Sequence, residues 1–245
     1  MTFVNKIASV VHINVVKTGG SNNKNIGDAF LYVWKIASHK ENKLLAAKIQ
    51  EYMKGEGELN AEEESHIQII NDSAVYCVMK IIAKINSYTQ ILAYREHKEL
   101  NERIPDFCVK MGFGLHLGWG IEGLIGSSHK VDASYLSPHV NLSSRLEAAT
   151  KQYGVKFLMS EQIYMNLSES FKSMCRCVDR CTLKGVARPL HLYTLETDIS
   201  NLPRVKDKYS KMTVKQRQKI VNYEKEALIS KLFSSKNSLR LFFCF

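Results

Sequence analysis

The chain has 245 residues, of which 45% are hydrophobic and 24% are charged, a composition typical of a globular protein and not of a disordered one. This length suits one large domain, or a domain with appended segments. The formal net charge is +10, but residues 204–245 hold 11 of the basic residues and only 3 of the acidic ones. The remainder is nearly neutral, so we do not expect a nucleic-acid-binding protein.

The compartment is indicated by the apolar runs and the cysteines. No apolar run reaches the roughly 18–20 residues that a membrane-spanning helix needs, and the first residues lack the features of a signal peptide. Six scattered cysteines favour reduced thiols. The cluster CRCVDRC at 175–181 has no finger-like partner ligands, so we do not expect zinc there. We expect a cytoplasmic protein, or the cytosolic part of a longer membrane protein.

The N-terminal part predicts a helix followed by a hairpin. Residues 4–16 have helical character, and the stretch 17–25 is turn-forming. The run AFLYVWKI at 29–36 is dense in aromatic and branched residues, which predicts a strand. We interpret 14–36 as a hairpin that carries Asp28 at its tip or just past it.

Two helical segments are predicted next. Residues 38–65 are rich in Lys, Glu and Ala, which indicates a solvated helical insertion with a loop. From about 62 to 101 the apolar residues recur at helical spacing, which predicts one long helix covering a sheet face.

The segment DFCVKMGFGLHLGWGIEGLIG (106–126) alternates as a strand does. One set of alternate positions is bulky and includes Trp119, whereas the other is rich in glycine and includes His116. Another backbone, or a ligand, is therefore expected against the glycines. The spacing also fits a dinucleotide fingerprint formally, but no helix follows the glycines, so we reject that reading.

The remaining elements are a helix, short strands and a tail. Residues 140–154 predict a helix in which Asn141 and Arg145 share a face and Gly154 ends the last turn. A strand is predicted at 155–160, followed by a short helix at 160–167 that is capped by Ser160. Two further strands are predicted at 176–185 and 188–196.

The basic tail, residues 201–245, is predicted to be helical or disordered, with a possible amphipathic helix around 212–233. It could be a solvated extension, or it could contact a membrane surface or a partner.

Three stretches in order carry a resemblance to a known family: GGSNNKNIGDAF, then VKMGFGLHLGWGIEGLIGSSHKVDASYLSPHVNLSSRLEAATKQYG, then TLKGVARPLHLY. Together they closely resemble the class III nucleotidyl cyclases, the adenylate and guanylate cyclase catalytic domains. The resemblance implies an α+β, ferredoxin-like fold over residues 1–200, with an antiparallel-rich sheet covered by helices.

The resemblance also implies an activity and a set of partners. In this family the ribose 3′-oxygen of a nucleoside triphosphate attacks the α-phosphorus, and pyrophosphate leaves. The reaction uses two Mg²⁺ or Mn²⁺ ions held by carboxylates. Family members are head-to-tail dimers, so a homodimer or a heterodimer with another cyclase domain is expected.

Residue by residue, Asp28 resembles the second metal-binding aspartate, and Lys24 and Ser134 occupy the two purine-contacting positions. Lys24 and Ser134 favour ATP over GTP, because guanylate cyclases usually place Glu and Cys there. Asn141 resembles the asparagine that orients the ribose, and Arg145 the arginine that stabilises the pentacoordinate phosphorus.

Lys184 resembles the lysine that holds the triphosphate.

One departure from the family pattern concerns the pair of metal-binding aspartates. The family's first metal aspartate lies in a strand upstream, but no acidic residue precedes Asp28 here, so the first strand of the fold is expected to be missing. The chain could be a piece of a longer active cyclase, a non-catalytic partner in a heterodimer, or an inactive remnant. A module that dimerises or binds nucleotide without turnover is the alternative from another functional class.

Overall fold

The computed structural model describes residues 2–27, 29–38, 43–127, 129–184, 186, 188–196 and 238–244. The helices are α1 (Thr2–Lys17), α2 (Lys43–Lys54), α3 (Ala61–Ser87), α4 (Thr89–Leu92), α5 (Lys98–Arg103), α6 (Pro138–Tyr153), α7 (Glu161–Met165) and α8 (Glu169–Lys172). The strands are β1 (Ser21–Ile26), β2 (Ala29–Ser38), β3 (Phe113–Ser127), β4 (Lys130–Leu136), β5 (Phe157–Ser160), β6 (Cys175–Cys181), β7 (Leu190–Leu195) and β8 (Ser238–Cys244). None of the described helices is long and apolar enough to cross a membrane.

The strands form one sheet in the order β1-β2-β8-β3-β5-β7-β6, and β4 pairs with β3 beyond this path. Neighbouring strands are antiparallel, apart from the parallel pair β3 and β5. Helices α1 and α3 pack together on one face, where the largest buried cluster includes Tyr32, Trp34 and Leu115. Helix α6 covers the other face. The expected antiparallel-rich sheet covered by helices is confirmed.

The insertion predicted at 38–65 contains α2, and the long helix predicted from about 62 divides into shorter ones. Helix α3 starts with a capping box. The Asn60 side-chain oxygen accepts from the backbone N–H of Glu63, and the Glu63 carboxylate accepts from the backbone N–H of Asn60. It ends where Tyr88 adopts an extended backbone, with φ −84° and ψ 108°. The helical periodicity continues past this residue because α4 and α5 follow directly, and periodicity alone does not show where a backbone turns.

The tail prediction requires a correction at 238–244. These residues form β8 in the middle of the sheet, between β2 and β3, and not a helical or disordered end. The sequence SLRLFFC supports a strand because apolar residues fill alternate positions and two neighbouring strands offer free edges. The amphipathic helix predicted around 212–233 lies outside the described residues.

The glycine-rich side of β3 contacts a helix backbone, as the sequence predicted. A side chain at Gly114 would overlap the carbonyl oxygen of Ser143 and the amide of Glu147, both in α6. At Gly118 it would overlap the ring of His139, in the first turn of the same helix. The Ser143 hydroxyl donates to the Gly114 carbonyl at 2.8 Å. Helix α6 therefore lies against β3 more closely than any side chain would allow.

The strand predicted from residue 106 starts later in the structure, because β3 begins at Phe113. The predicted end of α6 is confirmed, since Gly154 takes the left-handed conformation at φ +65°. Ser160 stands at the N-cap of α7, but its side chain makes no cap hydrogen bond. Its hydroxyl lies 2.8 Å from His116 Nδ1.

We predict that Gly114→Ala destabilises the domain by about 2 kcal/mol or more, because the methyl group forces α6 away from β3. Urea unfolding, followed by circular dichroism, measures the change in the free energy of unfolding. The matched control is Gly123→Ala in the same strand, where an added Cβ meets no atom within 4 Å. Equal destabilisation by the two substitutions would contradict this account of the α6 contact.

Candidate functional site

The two predicted purine-contacting residues lie on strands that touch. Lys24 is half-buried in β1, next to a register irregularity between Asn22 and Lys24. Ser134 is buried in β4. The side-chain Nδ2 of Asn23 donates to the backbone carbonyl of Ala133 at 3.4 Å, so the residues immediately before Lys24 and Ser134 are joined directly. The fold brings these two sequence-distant positions to the same region.

The face of β4 next to Ser134 has room for a ligand. Ser134 pairs with Gly123 of β3 in the strand register, and a Cβ added to Gly123 would meet no atom within 4 Å. Residues opposite each other in an antiparallel pair share a face, so this open space borders Ser134. A hydroxyl can donate or accept, which suits the edge of a purine.

The N-terminus of α6 is held to the β3–β4 pair. Ser137 is the N-cap and accepts from the His139 amide at 3.0 Å, while its hydroxyl donates to the Trp119 carbonyl. This anchor fixes the first turns of α6, where Asn141 is exposed and Arg145 is half-buried. The two side chains are one turn apart on α6, as the sequence predicted.

Lys184 lies in the loop after β6, and hydrophobic neighbours attach that loop to α6. Leu183 and Val186 pack against the cluster that contains Leu142 and Leu146 of α6. The Val186 amide donates to the Leu183 carbonyl at 3.0 Å, which forms a turn around the exposed Lys184. The loop that carries Lys184, the third candidate cationic side chain after Lys24 and Arg145, therefore lies beside α6.

Asp28, the predicted metal ligand, lies outside the described residues, between Ile26 and Ala29, which pair across the hairpin. The described residues contain no group of three or more His, Cys, Asp or Glu side chains that could hold a metal ion. The strand next to β2 is β8, and its sequence SLRLFFC has no acidic residue. The described residues therefore do not fit a carboxylate-bound metal pair, and no reaction step is assigned to one here.

A buried histidine pair connects β3 with α6. His116 Nε2 lies 2.8 Å from His139 Nδ1, the rings stack, and His116 Nδ1 lies 2.8 Å from the Ser160 hydroxyl. A neutral ring donates through one nitrogen and accepts at the other, so His116 is satisfied on both sides. Complete burial, and then the neighbouring His139, lower the pKa of His116 to about 3. The ring stays neutral in the folded protein near neutral pH.

His116 lies on the glycine-rich side of β3, as predicted, but its partners were not predicted. His139 and Ser160 lie in other elements, and no local pattern connects them with His116. The sole sequence signal is a histidine among glycines, which indicates a close neighbour without naming it.

An exposed apolar surface continues from this region along β3 and β4. We call it the apolar arm, and its exposed residues are Trp119, Ile121, Leu124, Ile125, Val131 and Leu136. Their exposed fractions run from 40% to 64%. Trp119 and Ile121 belong to the bulky set of alternate positions, and they are exposed where β3 pairs with β4. Large apolar side chains concentrated on one exposed strand pair are typical of a contact with another protein.

A cavity of about 160 Å³ lies elsewhere, between α3 and the ends of β5 and β7, and is lined by residues such as Val78, Phe157 and Leu195. None of the candidate residues lines it. It is also smaller than the roughly 300–1,000 Å³ of typical ligand pockets. The candidate residues therefore lie outside this cavity.

Comparison with known proteins gives a consistent assignment. A family model described as the adenylate and guanylate cyclase catalytic domain matches residues 1–197. An adenylate cyclase of Anabaena cylindrica is 33% identical over 91 residues, which are 36% of this chain and 18% of that protein. A terminal-differentiation-specific adenylate cyclase of Dictyostelium discoideum is 29% identical over 86 residues, 35% of this chain and 4% of that protein.

Solved structures agree on the fold. A bacterial light-regulated adenylyl cyclase superposes with a TM-score of 0.54 at 22% sequence identity. The match covers 79% of this chain and 44% of that chain. The chain thus spans less than half of this solved structure and less than a fifth of the curated relatives above.

We predict that the stability of the domain falls as the pH is lowered from about 7 to about 5. In the unfolded chain His116 binds a proton below its ordinary pKa of 6.5, but in the folded chain only near its lowered pKa of about 3. The free energy of unfolding should therefore fall by about 1.4 kcal/mol per pH unit below 6.5 for this group. Urea unfolding at several pH values measures the slope.

The variant His116→Gln should flatten this slope, because the titrating group is gone. Ser160→Ala is the matched control, since it removes a hydrogen-bond partner of His116 but no titratable group. It should lower stability at every pH and keep the slope. An unchanged slope in His116→Gln would show that this histidine does not cause the pH dependence.

Proposed function

Because the chain belongs to the adenylate and guanylate cyclase catalytic domain family, we propose that it serves as a nucleotidyl cyclase domain that converts ATP to 3′,5′-cyclic AMP and pyrophosphate. The observation that carries the proposal is the convergence of Lys24 and Ser134 on touching strands. Asn141 and Arg145 project from a helix anchored to the same strands.

In the proposed reaction each described residue has one task. The ribose 3′-oxygen forms a bond to the α-phosphorus, the bond from that phosphorus to the bridging oxygen breaks, and the 3′-hydroxyl loses its proton. Asn141 would orient the ribose by hydrogen bonding. Arg145 would stabilise the charge that develops on the phosphoryl oxygens, and Lys184 would hold the triphosphate. These assignments follow the resemblance and fit the exposed placement of Asn141 and Lys184.

ATP is the proposed substrate, in preference to GTP. The ammonium of Lys24 and the hydroxyl of Ser134 suit the N1 and the 6-amino group of adenine. The relatives described above are adenylate cyclases, which supports the same choice. GTP remains the substrate against which the preference must be measured.

The proposed active form is a dimer with a second cyclase domain, either a second copy or a related chain. Two features support this: Asn141 and Lys184 are exposed, and the apolar arm exposes large side chains on β3 and β4. The proposal includes Mg²⁺ or Mn²⁺, for which Asp28 is the one ligand assigned by resemblance. In a heterodimer the partner domain would supply both metal-binding carboxylates. A cytoplasmic location and cyclic-nucleotide signalling complete the proposal.

We predict that Arg145→Ala lowers cyclic AMP formation by about a hundredfold or more, because a preorganised charge at the phosphoryl group is lost. The assay contains ATP or GTP with Mn²⁺ and measures cyclic nucleotide and pyrophosphate. The chain is tested alone and mixed with a class III cyclase domain that carries both metal aspartates but lacks its own asparagine–arginine pair. In the mixture, activity requires sites built from both chains.

Ser144→Ala is the matched control, because Ser144 is exposed on α6 next to Arg145 and has no assigned task. It should leave the rate unchanged. ATP should be converted faster than GTP. If neither preparation forms cyclic nucleotide, the catalytic proposal is wrong, and nucleotide binding without turnover would identify a non-catalytic module.

We also predict that Val131→Lys weakens dimerisation by about tenfold or more, because Val131 is 57% exposed on the apolar arm and a charge there would be buried on association. Sedimentation velocity over a concentration series measures the dissociation constant. Leu44→Lys is the control, since Leu44 is 70% exposed on α2, outside the arm. Equal effects of the two lysines would argue against the arm as the interface.

A further inference from the structure

We propose that Ser238–Cys244 is a donor strand, which fills an acceptor groove between β2 and β3 and so joins two parts of one sheet. Among the described strands, β2 pairs with β1 and β8, and β3 pairs with β4, β5 and β8. No described pairing links β2 to β3 directly. The sheet is continuous through β8 alone, and β8 comes from the far end of the described chain.

The groove is complementary to an extended strand along its whole length. On one side β8 pairs antiparallel with β2, from Leu31 opposite Cys244 to Ser38 opposite Ser238. On the other side it pairs antiparallel with β3, from Gly114 opposite Cys244 to Gly120 opposite Ser238. An occupant thus satisfies two ladders of backbone hydrogen bonds at once, which an empty groove would leave open.

The sequence of β8 matches its register. Leu239, Leu241 and Phe243 occupy alternate positions of the strand. The register partners of Leu241 are Trp34 and Leu117, and those of Phe243 are Tyr32 and Leu115. All four partners are buried in the main core cluster. A one-residue slip in one direction would pair polar Arg240 with Trp34 and Leu117, so the pattern disfavours that slip.

The two parts that β8 joins carry different portions of the candidate site. Lys24 belongs to the β1–β2 part, whereas Ser134, Asn141 and Arg145 belong to the part built on β3, β4 and α6. Pairing of β8 therefore fixes the relative position of the Lys24 strand and the α6 residues. A donor strand of this kind is therefore a structural requirement for the site, separate from nucleotide turnover.

The occupant to which we commit is the chain's own C-terminal segment. Strand β7 is separated from β8 by β5 and β3, about 15 Å across the sheet at the usual strand spacing. Residues 197–237 connect the two strands, and at the extended limit of about 3.3 Å per residue this number of residues can reach far beyond that distance. The connection is long enough for β8 to enter the groove of its own domain.

The experiment introduces Leu31→Cys, which places a thiol opposite native Cys244. Opposite residues of an antiparallel pair have Cα atoms about 4.5–5.5 Å apart, within the range of a disulfide. The full chain is oxidised with oxidised glutathione, digested without reduction and mapped by mass spectrometry. We expect a disulfide between position 31 and Cys244, in protein that migrates as a monomer without reductant.

The matched control is Lys35→Cys, whose register partner is Arg240, so that Cys244 lies about 13 Å away along the strand. Its link to Cys244 should be at least about tenfold less abundant. Equal yields from the two variants, or no link from position 31, would overturn the proposal. A link found in covalent dimers only would show that the groove takes the strand of a second copy, which also overturns the occupant proposed here.

A second measurement tests whether the strand holds the sheet together. Leu241→Pro removes a ladder donor from a central strand, whereas Leu241→Val keeps a residue suited to strands. Hydrogen exchange of β2 and β3 amides should accelerate by about tenfold or more in Leu241→Pro and stay near the parent rate in Leu241→Val. Loss of protection throughout the Leu241→Pro chain would also support the donor role. Unchanged protection in β2 and β3 would overturn it.

Discussion

The contact on which the rest of the domain depends is the close approach of α6 to β3. Gly114 and Gly118 let the helix backbone lie where side chains would otherwise stand. The Ser143 hydroxyl and the His116–His139 pair then hold it there with hydrogen bonds. Because Asn141 and Arg145 project from this helix, their position is set by a packing distance. Larger residues on β3 would displace the whole candidate site.

A second dependence runs across the sheet. The hairpin that carries Lys24 touches β4 through Asn23, and it joins the rest of the sheet through β8. The candidate site therefore lies on two sheet parts with few direct links. An assembly of this kind couples the geometry of the site to the occupant of the groove between β2 and β3. The apolar arm adds exposed apolar side chains that a second domain can contact.

Much of the fold was predictable because its signals are local. The alternation of β3, the aromatic run of β2 and the capping of α6 each depend on neighbouring residues, and the structure contains these elements. The errors occur where distant contacts decide. The predicted helix from about 62 breaks at Tyr88, and the Ser160 hydroxyl bonds to His116 and not to the first turn of α7. Residues 238–244 form a strand because two distant edges accept them.

By itself the sequence determined the family, because ordered motifs such as GGSNNKNIGDAF and VNLSSRLEAATKQYG are far more specific together than singly. It also determined the identity of the candidate residues, since each was found by its place in a motif. The tertiary structure decided which of these residues converge, that glycines on β3 receive a helix and that the C-terminal segment lies in the sheet centre. Those outcomes depend on contacts between residues far apart in the chain, whose pairing free energy no local pattern records.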